Sequence, residues 1–258
     1  MDLATHYATG PAEDSRLDRT PHGRLEYLRT RELLQRFLPG HERVLDVGGG
    51  TGVHAAWLAA DGHPVHLVDV VPAHVARAAT LPGVTASAGD ARDLEAADAS
   101  YDAVLLLGPL YHLVEAADRA RALAESRRVL RPGGLLAAAG ISRYLSLLET
   151  GAAGTLTPGR VDPVRAVIET GAYDGHAGFV PTHWHTATEL HDEVAAAGFT
   201  GTAVFGVEGP SWPALDSAGL SRFGELAEPA LRAARIVERD PRLIDASAHL
   251  LAFARRPA

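Results

Sequence analysis

Short strand-like runs alternate with amphipathic segments along the first 141 residues of the chain. Each run is five to eight residues long and ends in aspartate, glycine or a polar turn, as the buried strands of α/β proteins do. Their length and their flanking turns therefore predict strands rather than helices. The predicted strands span residues 43–47, 63–69, 84–88, 101–108 and 135–141.

The segments between these runs carry apolar residues three and four positions apart, which is the spacing of a helix with one buried face. The clearest segment begins at His22 and ends before Pro39 and Gly40, two residues that stop helices. The predicted helices span residues 22–38, 52–60, 72–80 and 115–130, with a later one over 186–199.

Because strands and helices alternate with short loops, the sequence predicts a doubly wound, mostly parallel α/β sheet. Two later strands, predicted at 202–209 and 249–257, bring the sheet to seven strands. We expect a single domain over residues 1–258, with an N-terminal arm and helix over 1–40. The insertion over 142–185 follows the carboxyl end of a strand, where ligand crevices form, and is predicted to be a helical lid or substrate pocket.

Composition narrows the class of protein and its partners. The chain has 47% hydrophobic and 22% charged residues, and no apolar run approaches the ~18 residues of a membrane span. The N-terminus lacks the basic-then-apolar order of a secretory signal, so a cytoplasmic location is expected. A formal charge of −8 disfavours a nucleic-acid partner and favours a small molecule.

Cysteine, lysine and asparagine are missing from the sequence, and the absence of the first two excludes some chemistry. Without cysteine the chain has no disulfide, thiolate metal ligand or cysteine nucleophile. Without lysine it has no Schiff-base residue and no P-loop lysine. Where a reaction needs a proton acceptor, that group must be histidine, aspartate, glutamate or tyrosine.

The most informative stretch is VLDVGGGTGVHAAWL, in which an apolar run meets a glycine-rich turn and a helix follows. Glycines at 48, 50 and 52 have the spacing G-x-G-x-G. The dinucleotide fingerprint would place its third glycine at position 53, where this chain has Val53. The turn alone leaves two ligands open, a pyrophosphate or a nucleoside without phosphates.

Aspartates follow or end three successive predicted strands at Asp46, Asp69 and Asp90. The carboxyl ends of parallel strands meet at one edge of the sheet, so these side chains are expected to share one crevice. Asp69 can accept both ribose hydroxyls, and Asp90 can accept from an adenine amine. Asp46 can orient the glycine loop or a ligand ammonium, although capping of a neighbouring turn explains Asp46 equally well. Three carboxylates favour a cationic ligand over a pyrophosphate.

In this order, the glycine turn, Asp69, Asp90 and the later turn RPGG resemble the class I S-adenosylmethionine-dependent methyltransferases, over about residues 22–141. The resemblance implies a Rossmann-like methyltransferase fold and S-adenosylmethionine as the cofactor. An arginine before the first strand often holds the methionine carboxylate in this family. Arg24 matches that position best by spacing, and Arg29 is the other option.

The resemblance also implies which residues surround each part of the cofactor. Expected contacts are Gly48, Gly49 and Gly50 for the methionine part, Asp69 with Val70 for the ribose, Asp90 with Ala91 for adenine, and Leu107 with Gly108 beneath the sulfonium.

GPLYHL begins at Gly108, where the transferred methyl group is expected. Relatives that methylate planar amino groups of nucleic-acid bases carry N-P-P-Y or D-P-P-Y here. Glycine at the first position therefore argues against adenine or cytosine N-methylation. Tyr111 and His112 would border the methyl group, with His112 the candidate base or hydrogen-bond partner. The alternative for His112 is a structural histidine at a helix start.

A second cluster, PTHWHTATELH, contains His183 and His185, which we predict as substrate contacts. The H-x-H spacing could also suit a metal ion, but no third ligand follows at a defined spacing and a helix begins near Thr186, so no metal is expected. Tyr7 and Tyr144 are further candidates for the substrate pocket, with packed aromatic residues as the alternative.

Together these features predict a methyltransferase that moves a methyl group from S-adenosylmethionine to oxygen, nitrogen or carbon of a small organic acceptor. The lid combines aromatic residues and histidines with few charges, which suggests a fairly apolar acceptor, and we expect a role in specialised metabolism. One alternative is a protein that binds S-adenosylmethionine without turnover. A nicotinamide-dependent oxidoreductase is disfavoured by Val53 and by the lack of lysine for a Tyr-x-x-x-Lys pair.

Overall fold

Seven strands form one sheet in the computed structural model, which describes residues 17–175 and 179–258. In chain order these strands are β1 (Val44–Val47), β2 (Val65–Asp69), β3 (Val84–Ala88), β4 (Tyr101–Leu106), β5 (Leu130–Ile141), β8 (Thr200–Gly206) and β9 (His249–Arg255). Two short strands, β6 (Ala172–Tyr173) and β7 (Thr182–His183), pair separately.

The strand order across the sheet is β3-β2-β1-β4-β5-β9-β8. Strands β1 to β5 are parallel, and β9 lies antiparallel between β5 and β8. This arrangement confirms the predicted doubly wound, mostly parallel seven-stranded sheet. It also brings the first residue of β9 to the edge at which β5 ends.

Helices cover both faces of this sheet. They are α1 (Pro21–Phe37), α2 (Val53–Ala60), α3 (Pro72–Ala78), α4 (Pro109–His112), α5 (Ala116–Val129), α6 (Leu145–Ala152), α7 (Pro158–Thr170), α8 (Ala187–Ala196), α9 (Trp212–Ala218) and α10 (Phe223–Val237).

The two faces of the sheet carry two apolar cores, and β4 contributes alternate residues to each. Val104 and Leu106 pack in the core that includes residues of α5 and α8, whereas Ala103 and Leu105 pack in the core that includes residues of α1 and α2. All four side chains are fully buried. Burial on both faces explains why β4 is apolar at successive positions instead of alternating.

The segment between β8 and β9 contains the two helices that the sequence pattern missed. Leu25 of α1 packs against Trp212, Leu215 and Ala230 of these helices, forming a third apolar cluster. A proline inside α10, at Pro229, interrupts the pattern from which a helix is recognised.

The insertion over 142–185 forms α6, α7 and the β6–β7 pair. Its aromatic residues Tyr173 and Trp184 stack with ring centroids 4.7 Å apart, and Tyr111 of α4 packs against the same cluster. The described part of the insertion therefore packs against α4 through Tyr111. Its role as a lid and the single-domain boundary stay predictions.

No helix in the described ranges is long and apolar enough to span a membrane.

Leu105 lies at the centre of the sheet and provides a test of the core. Leu105→Ala should lower the free energy of unfolding by about 2–5 kcal/mol, because the fully buried side chain leaves a cavity. Denaturant unfolding followed by circular dichroism measures this loss. Leu28→Ala is the matched control, since Leu28 is 38% exposed and its truncation should change stability by less than about 1 kcal/mol. Equal losses for the two variants would contradict the assigned core.

Candidate active site

A cavity of about 430 Å³ opens at the carboxyl ends of β1 to β4. The side over β1, β2 and β3 is lined by the predicted cofactor residues, with the glycine turn and all three aspartates among them. The wall continues beyond β4 to side chains of α1, β5 and β9. On that side it includes Glu26, Thr30, Ala139, His249 and Leu251. The cavity thus has two regions joined at the end of β4.

The glycine turn packs too closely for side chains at Gly48 and Gly49. A Cβ on Gly48 would lie 2.6 Å from Pro109 Cγ, and Gly48 also has a left-handed φ of +68°. A Cβ on Gly49 would lie 2.5 Å from Asp46 Oδ2. The turn therefore lies directly against the start of α4 and against the Asp46 carboxyl, and only glycine allows both approaches.

Asp69 joins the glycine turn to the loop after β2. Its Oδ2 accepts a hydrogen bond from the backbone N–H of Gly50 at 2.9 Å, and its Oδ1 accepts one from Val71 at 2.8 Å. His74 Nδ1 lies 3.3 Å from the same Oδ1. These bonds fix the carboxylate at the cavity wall, in the position predicted for a ribose contact.

Asp46 differs from Asp69 because neither of its carboxyl oxygens has a hydrogen-bond partner among the described residues. Burial, together with the neighbouring charge of Asp69, raises the pKa of Asp46 to about 7. A buried acceptor without a donor is unfavourable, and a ligand ammonium placed beside it would relieve that penalty. Asp46 lines the cavity, so such a group can reach it.

Asp90 is held by Arg92 through both carboxylate oxygens. Its Oδ1 accepts from the Arg92 backbone N–H at 2.9 Å, and its Oδ2 accepts from Arg92 Nη2 at 2.7 Å. Arg92 thereby lowers the pKa of Asp90. Arg92 also donates to Asp118 at 2.8 Å. An adenine amine at this position would donate to the same Asp90 carboxylate as the Arg92 guanidinium does.

Tyr111 and His112 lie on α4 and line the cavity, as do Leu107 and Gly108 before them. The His112 ring centroid lies 4.7 Å from that of Tyr111 and 5.6 Å from that of Phe179 in the insertion. The short helix places both side chains where the two regions of the cavity meet. The strand prediction ran to residue 108, but β4 ends at Leu106.

Arg24, the residue expected to hold the methionine carboxylate, is not part of the described cavity wall. Its Nε lies 3.5 Å from Asp18 Oδ1, and its guanidinium lies over the Phe223 ring. Arg29, the other option, is fully buried and donates to Glu238 at 2.6 Å. Either arginine would have to leave these partners to reach the cofactor.

His183 and His185 are also placed away from the described cavity wall. His183 Nε2 lies 3.1 Å from Glu189 Oε1, and His185 Nε2 lies 3.4 Å from Glu193 Oε2. Both glutamates belong to α8, which Thr186 begins with a capping box through Glu189. The two imidazoles therefore connect β7 and the residues just after it to α8. As substrate contacts they would require a rearrangement of this network.

Glu193 is a third potential metal ligand that the sequence spacing did not reveal. Its carboxylate lies within 4.8 Å of the ligand atoms of both histidines. However, Arg119 donates to both Glu193 oxygens, at 3.0 Å from Nε and 2.7 Å from Nη2. A carboxylate paired with guanidinium is a poor metal ligand, so an ion-pair network accounts for this cluster.

Two further substrate predictions concern tyrosines. Tyr144 precedes α6, where its backbone N–H donates to Ser142 Oγ at 3.2 Å, and it is not among the described residues of the cavity wall. Tyr7 lies outside the described residues.

Glu26 and His249 are cavity residues that the sequence reasoning missed. No motif marks either one. A topological signal did exist for His249, because the first residue of an antiparallel strand lies at the edge where its parallel neighbour ends. The register pairs His249 with Ile141, the last residue of β5.

Comparison with known proteins agrees with this geometry. Residues 44–134, about a third of the chain, match the family model described as a methyltransferase domain. The ubiquinone/menaquinone biosynthesis C-methyltransferase of Acidiphilium cryptum is 38% identical over 102 residues, which cover 36% of this chain and 40% of that protein. The chain spans about two fifths of the length of the curated relatives it matches.

Solved structures resemble the whole fold. An S-adenosylmethionine-dependent methyltransferase from Mesorhizobium loti has a TM-score of 0.61 at 23% identity, covering 90% of this chain and 100% of that one. The 1,6-didemethyltoxoflavin-N1-methyltransferase of Burkholderia thailandensis, solved with that compound and S-adenosylhomocysteine, has a TM-score of 0.59 at 20% identity. It covers 100% of this chain and 86% of its own. At these identities the likeness establishes the fold alone.

Residues 44–134 therefore match a methyltransferase domain, and the predicted fold is confirmed. These similarities support the predicted class I methyltransferase family and S-adenosylmethionine as the cofactor. The residues present fit that cofactor, since the carboxyl of Asp46 lacks a donor beside a turn that only glycines can form. S-adenosylmethionine carries a cationic ammonium group and has no phosphate, so it suits such a site.

Asp46→Asn should stabilise the ligand-free protein at about pH 8. Because folding raises the pKa of Asp46 from 3.8 to about 7, the folded state loses stability as pH rises between these values. Removing the charge should restore on the order of 2–4 kcal/mol at about pH 8 and nothing near pH 4. Denaturant unfolding at both pH values measures the difference.

Asp162→Asn is the matched control, because the Asp162 side chain is 88% exposed. A stability of Asp46→Asn equal to wild type at about pH 8 would contradict the buried, unpartnered carboxyl.

Proposed function

We propose that this chain transfers the methyl group of S-adenosylmethionine to a small organic acceptor. The observation that carries the proposal is the continuity of the cavity, whose cofactor region opens beyond β4 into a region lined by side chains of α1, β5 and β9. Methyl transfer from a sulfonium is an in-line displacement, which requires the acceptor to lie beside the donor and on its far side from the sulfur. The second region supplies that space.

The proposed cofactor contacts follow the order of the strands. Gly48, Gly49 and Gly50 with Asp46 hold the methionine part, Asp69 with Val70 holds the ribose, and Asp90 with Ala91 holds adenine. Leu107 and Gly108 lie beneath the sulfonium, and Tyr111 and His112 border the methyl group, with His112 a hydrogen-bond partner or base. All of these residues line the cavity.

The chemistry asked of the protein is modest because the sulfonium already activates the methyl group. The chain has to align three atoms and exclude water from them. Apolar side chains such as Val207 and Leu251 line the region beyond β4. These side chains favour an acceptor with apolar surface. The names of similar proteins also refer to compounds with apolar surface, a quinone and a toxoflavin.

Several finer expectations remain part of this proposal. The formal charge of −8 favours a small-molecule acceptor over nucleic acid, and we expect a cytoplasmic location and a role in specialised metabolism. The arm contact of Tyr7, the carboxylate contact of Arg24 and the substrate contacts of Tyr144, His183 and His185 stay predictions.

Asp69→Asn should weaken binding of S-adenosylhomocysteine by about 10- to 100-fold, since charge-assisted hydrogen bonds to the ribose are lost. Isothermal titration calorimetry measures the affinity, with Asp162→Asn as the exposed control and NAD as the competing ligand. Unchanged affinity in Asp69→Asn would remove the ribose assignment, and binding of NAD alone would overturn the proposed function.

Turnover distinguishes an enzyme from a protein that only binds the cofactor. The wild-type chain, given S-adenosylmethionine and a panel of small phenols, quinols and nitrogen heterocycles, should form S-adenosylhomocysteine and a methylated product detectable by mass spectrometry. Tight cofactor binding with no product from any class would support the non-catalytic alternative instead.

A further inference from the structure

Two buried glutamates and a partly buried histidine lie on the side of the cavity that the predicted cofactor residues leave open. Glu26 of α1 and His249 of β9 line the cavity, and Glu208 lies behind His249 just after β8. Because β9 is antiparallel to β5, His249 lies at the same sheet edge as the carboxyl ends of β1 to β5. The group therefore faces the region assigned to the acceptor.

Glu208 is fully buried, yet its carboxylate is well supplied with donors. Its Oε2 accepts from Ser247 Oγ at 2.8 Å and from the backbone N–H of His249 at 2.9 Å, and its Oε1 lies 2.6 Å from His249 Nδ1. These contacts hold both oxygens of the Glu208 carboxyl in place, with Oε1 directed at the His249 imidazole.

That hydrogen bond determines which nitrogen of His249 is basic. An ionised carboxylate only accepts, so Nδ1 carries the hydrogen and Nε2 carries the lone pair. The main chain of His249 is held as well, because Val207 N–H donates to the His249 carbonyl at 3.0 Å. A neutral imidazole oriented by a buried carboxylate is the arrangement of a general base.

We propose that His249 accepts the proton of the acceptor substrate, that Glu208 positions His249, and that the acceptor is a compound with a weakly acidic hydroxyl, a phenol or an enol. This inference rests on the proposed function and assigns a substrate class to the same cavity. Hydroxyl acceptors need a proton acceptor in the transition state, whereas free amines need one less.

The proposed step balances without a further reactant. The acceptor O–H bond breaks and its proton moves to His249 Nε2, while the oxygen electron pair forms a bond to the methyl carbon. The carbon–sulfur bond breaks and its electron pair stays on sulfur. The products are a methyl ether, S-adenosylhomocysteine and a protonated imidazole, which releases its proton to solvent before the next cycle.

Acidic side chains lie on the Nδ1 side of His249. Glu26 Oε2 lies 3.7 Å from His249 Nδ1, in addition to Glu208. His22 of α1 lies within electrostatic reach of both Glu208 and His249, but it is paired with Asp216 of α9 at 2.5 Å. Two carboxyl groups therefore lie within 3.7 Å of the ring that receives the proton.

A divalent cation is the competing occupant, since Glu26, Glu208 and His249 offer ligand atoms within 4.8 Å of one another. The short Glu208–His249 hydrogen bond favours the base, because a metal bound at Nδ1 would displace it. Metal dependence is therefore an outcome of the test.

The test uses para-nitrophenol as the probe, because proton loss from this phenol gives a coloured anion. Wild-type protein saturated with S-adenosylhomocysteine is titrated with the probe at about one pH unit below the probe's own pKa, with and without EDTA. We expect bound anion in wild type in both conditions. His249→Gln should lower the bound ionised fraction at least about 10-fold while S-adenosylhomocysteine affinity stays within about threefold.

Two further variants separate orientation from local structure. Glu208→Gln should lower the ionised fraction and move the His249 proton from Nδ1 to Nε2, as read by nitrogen NMR of labelled histidine, which a purely structural role would leave in place. His191→Gln is the matched control, because His191 pairs with Asp192 on the surface. It should behave as wild type.

The contradicting outcomes are specific. Failure of the probe to bind or to ionise in wild type, an unchanged signal in His249→Gln, loss of the signal with EDTA, or loss in His112→Ala but not in His249→Gln would each overturn the proposal. S-adenosylhomocysteine binding reports separately on the proposed function. If the cofactor product binds and the probe does not ionise, the inference alone fails.

Discussion

The site depends on the close approach of the turn after β1 to its surroundings. With no Cβ at Gly48 and Gly49, the turn lies against Pro109 on one side and the Asp46 carboxyl on the other. That contact places the end of β4 and the short helix α4 directly over the turn. The hydrogen bonds of Asp69 then fix the loop after β2 to the same turn. A side chain at either glycine would separate these elements and open the cofactor region.

The two fully buried carboxyl groups of the cavity region are held in opposite ways. Asp46 has no donor among the described residues, and burial raises its pKa to about 7. Glu208 accepts hydrogen bonds from Ser247 Oγ and from the His249 backbone N–H, and its other oxygen lies 2.6 Å from His249 Nδ1. In the proposed mechanism the ligand supplies the partner of Asp46, whereas the protein itself supplies the partners of Glu208. The difference matches a binding role for one and an orienting role for the other.

The sheet and the cavity wall over β1 to β3 could be predicted from sequence because their signals are local. The strand over Val84–Ala88 has the predicted bounds, and Asp46, Asp69 and Asp90 follow from the rule that parallel strands end at one edge. Arg24 was harder to place because an arginine on a helix has many exposed partners, and this one lies by Asp18 and Phe223. The spacing of a motif does not determine which of these partners the arginine contacts.

The residues of the proposed acceptor region were harder to predict from the sequence, because their contacts depend on distant parts of the chain. His183 and His185 stand in a conspicuous motif, yet glutamates one and two turns along α8 bind their imidazoles. Glu26, Glu208 and His249 come from three distant parts of the chain and meet only through the order of the strands. Long-range pairing of this kind leaves no periodic trace in the sequence.

The central claim is that the donor and the acceptor share one cavity, with the methyl group transferred where its two regions meet. A crystal structure with S-adenosylhomocysteine bound tests this most directly. The account predicts adenosine over the ends of β2 and β3, and a sulfur beside Gly108 that faces the region lined by Glu26 and His249. A nucleoside bound elsewhere, or a sulfur that faces away from that region, would contradict it.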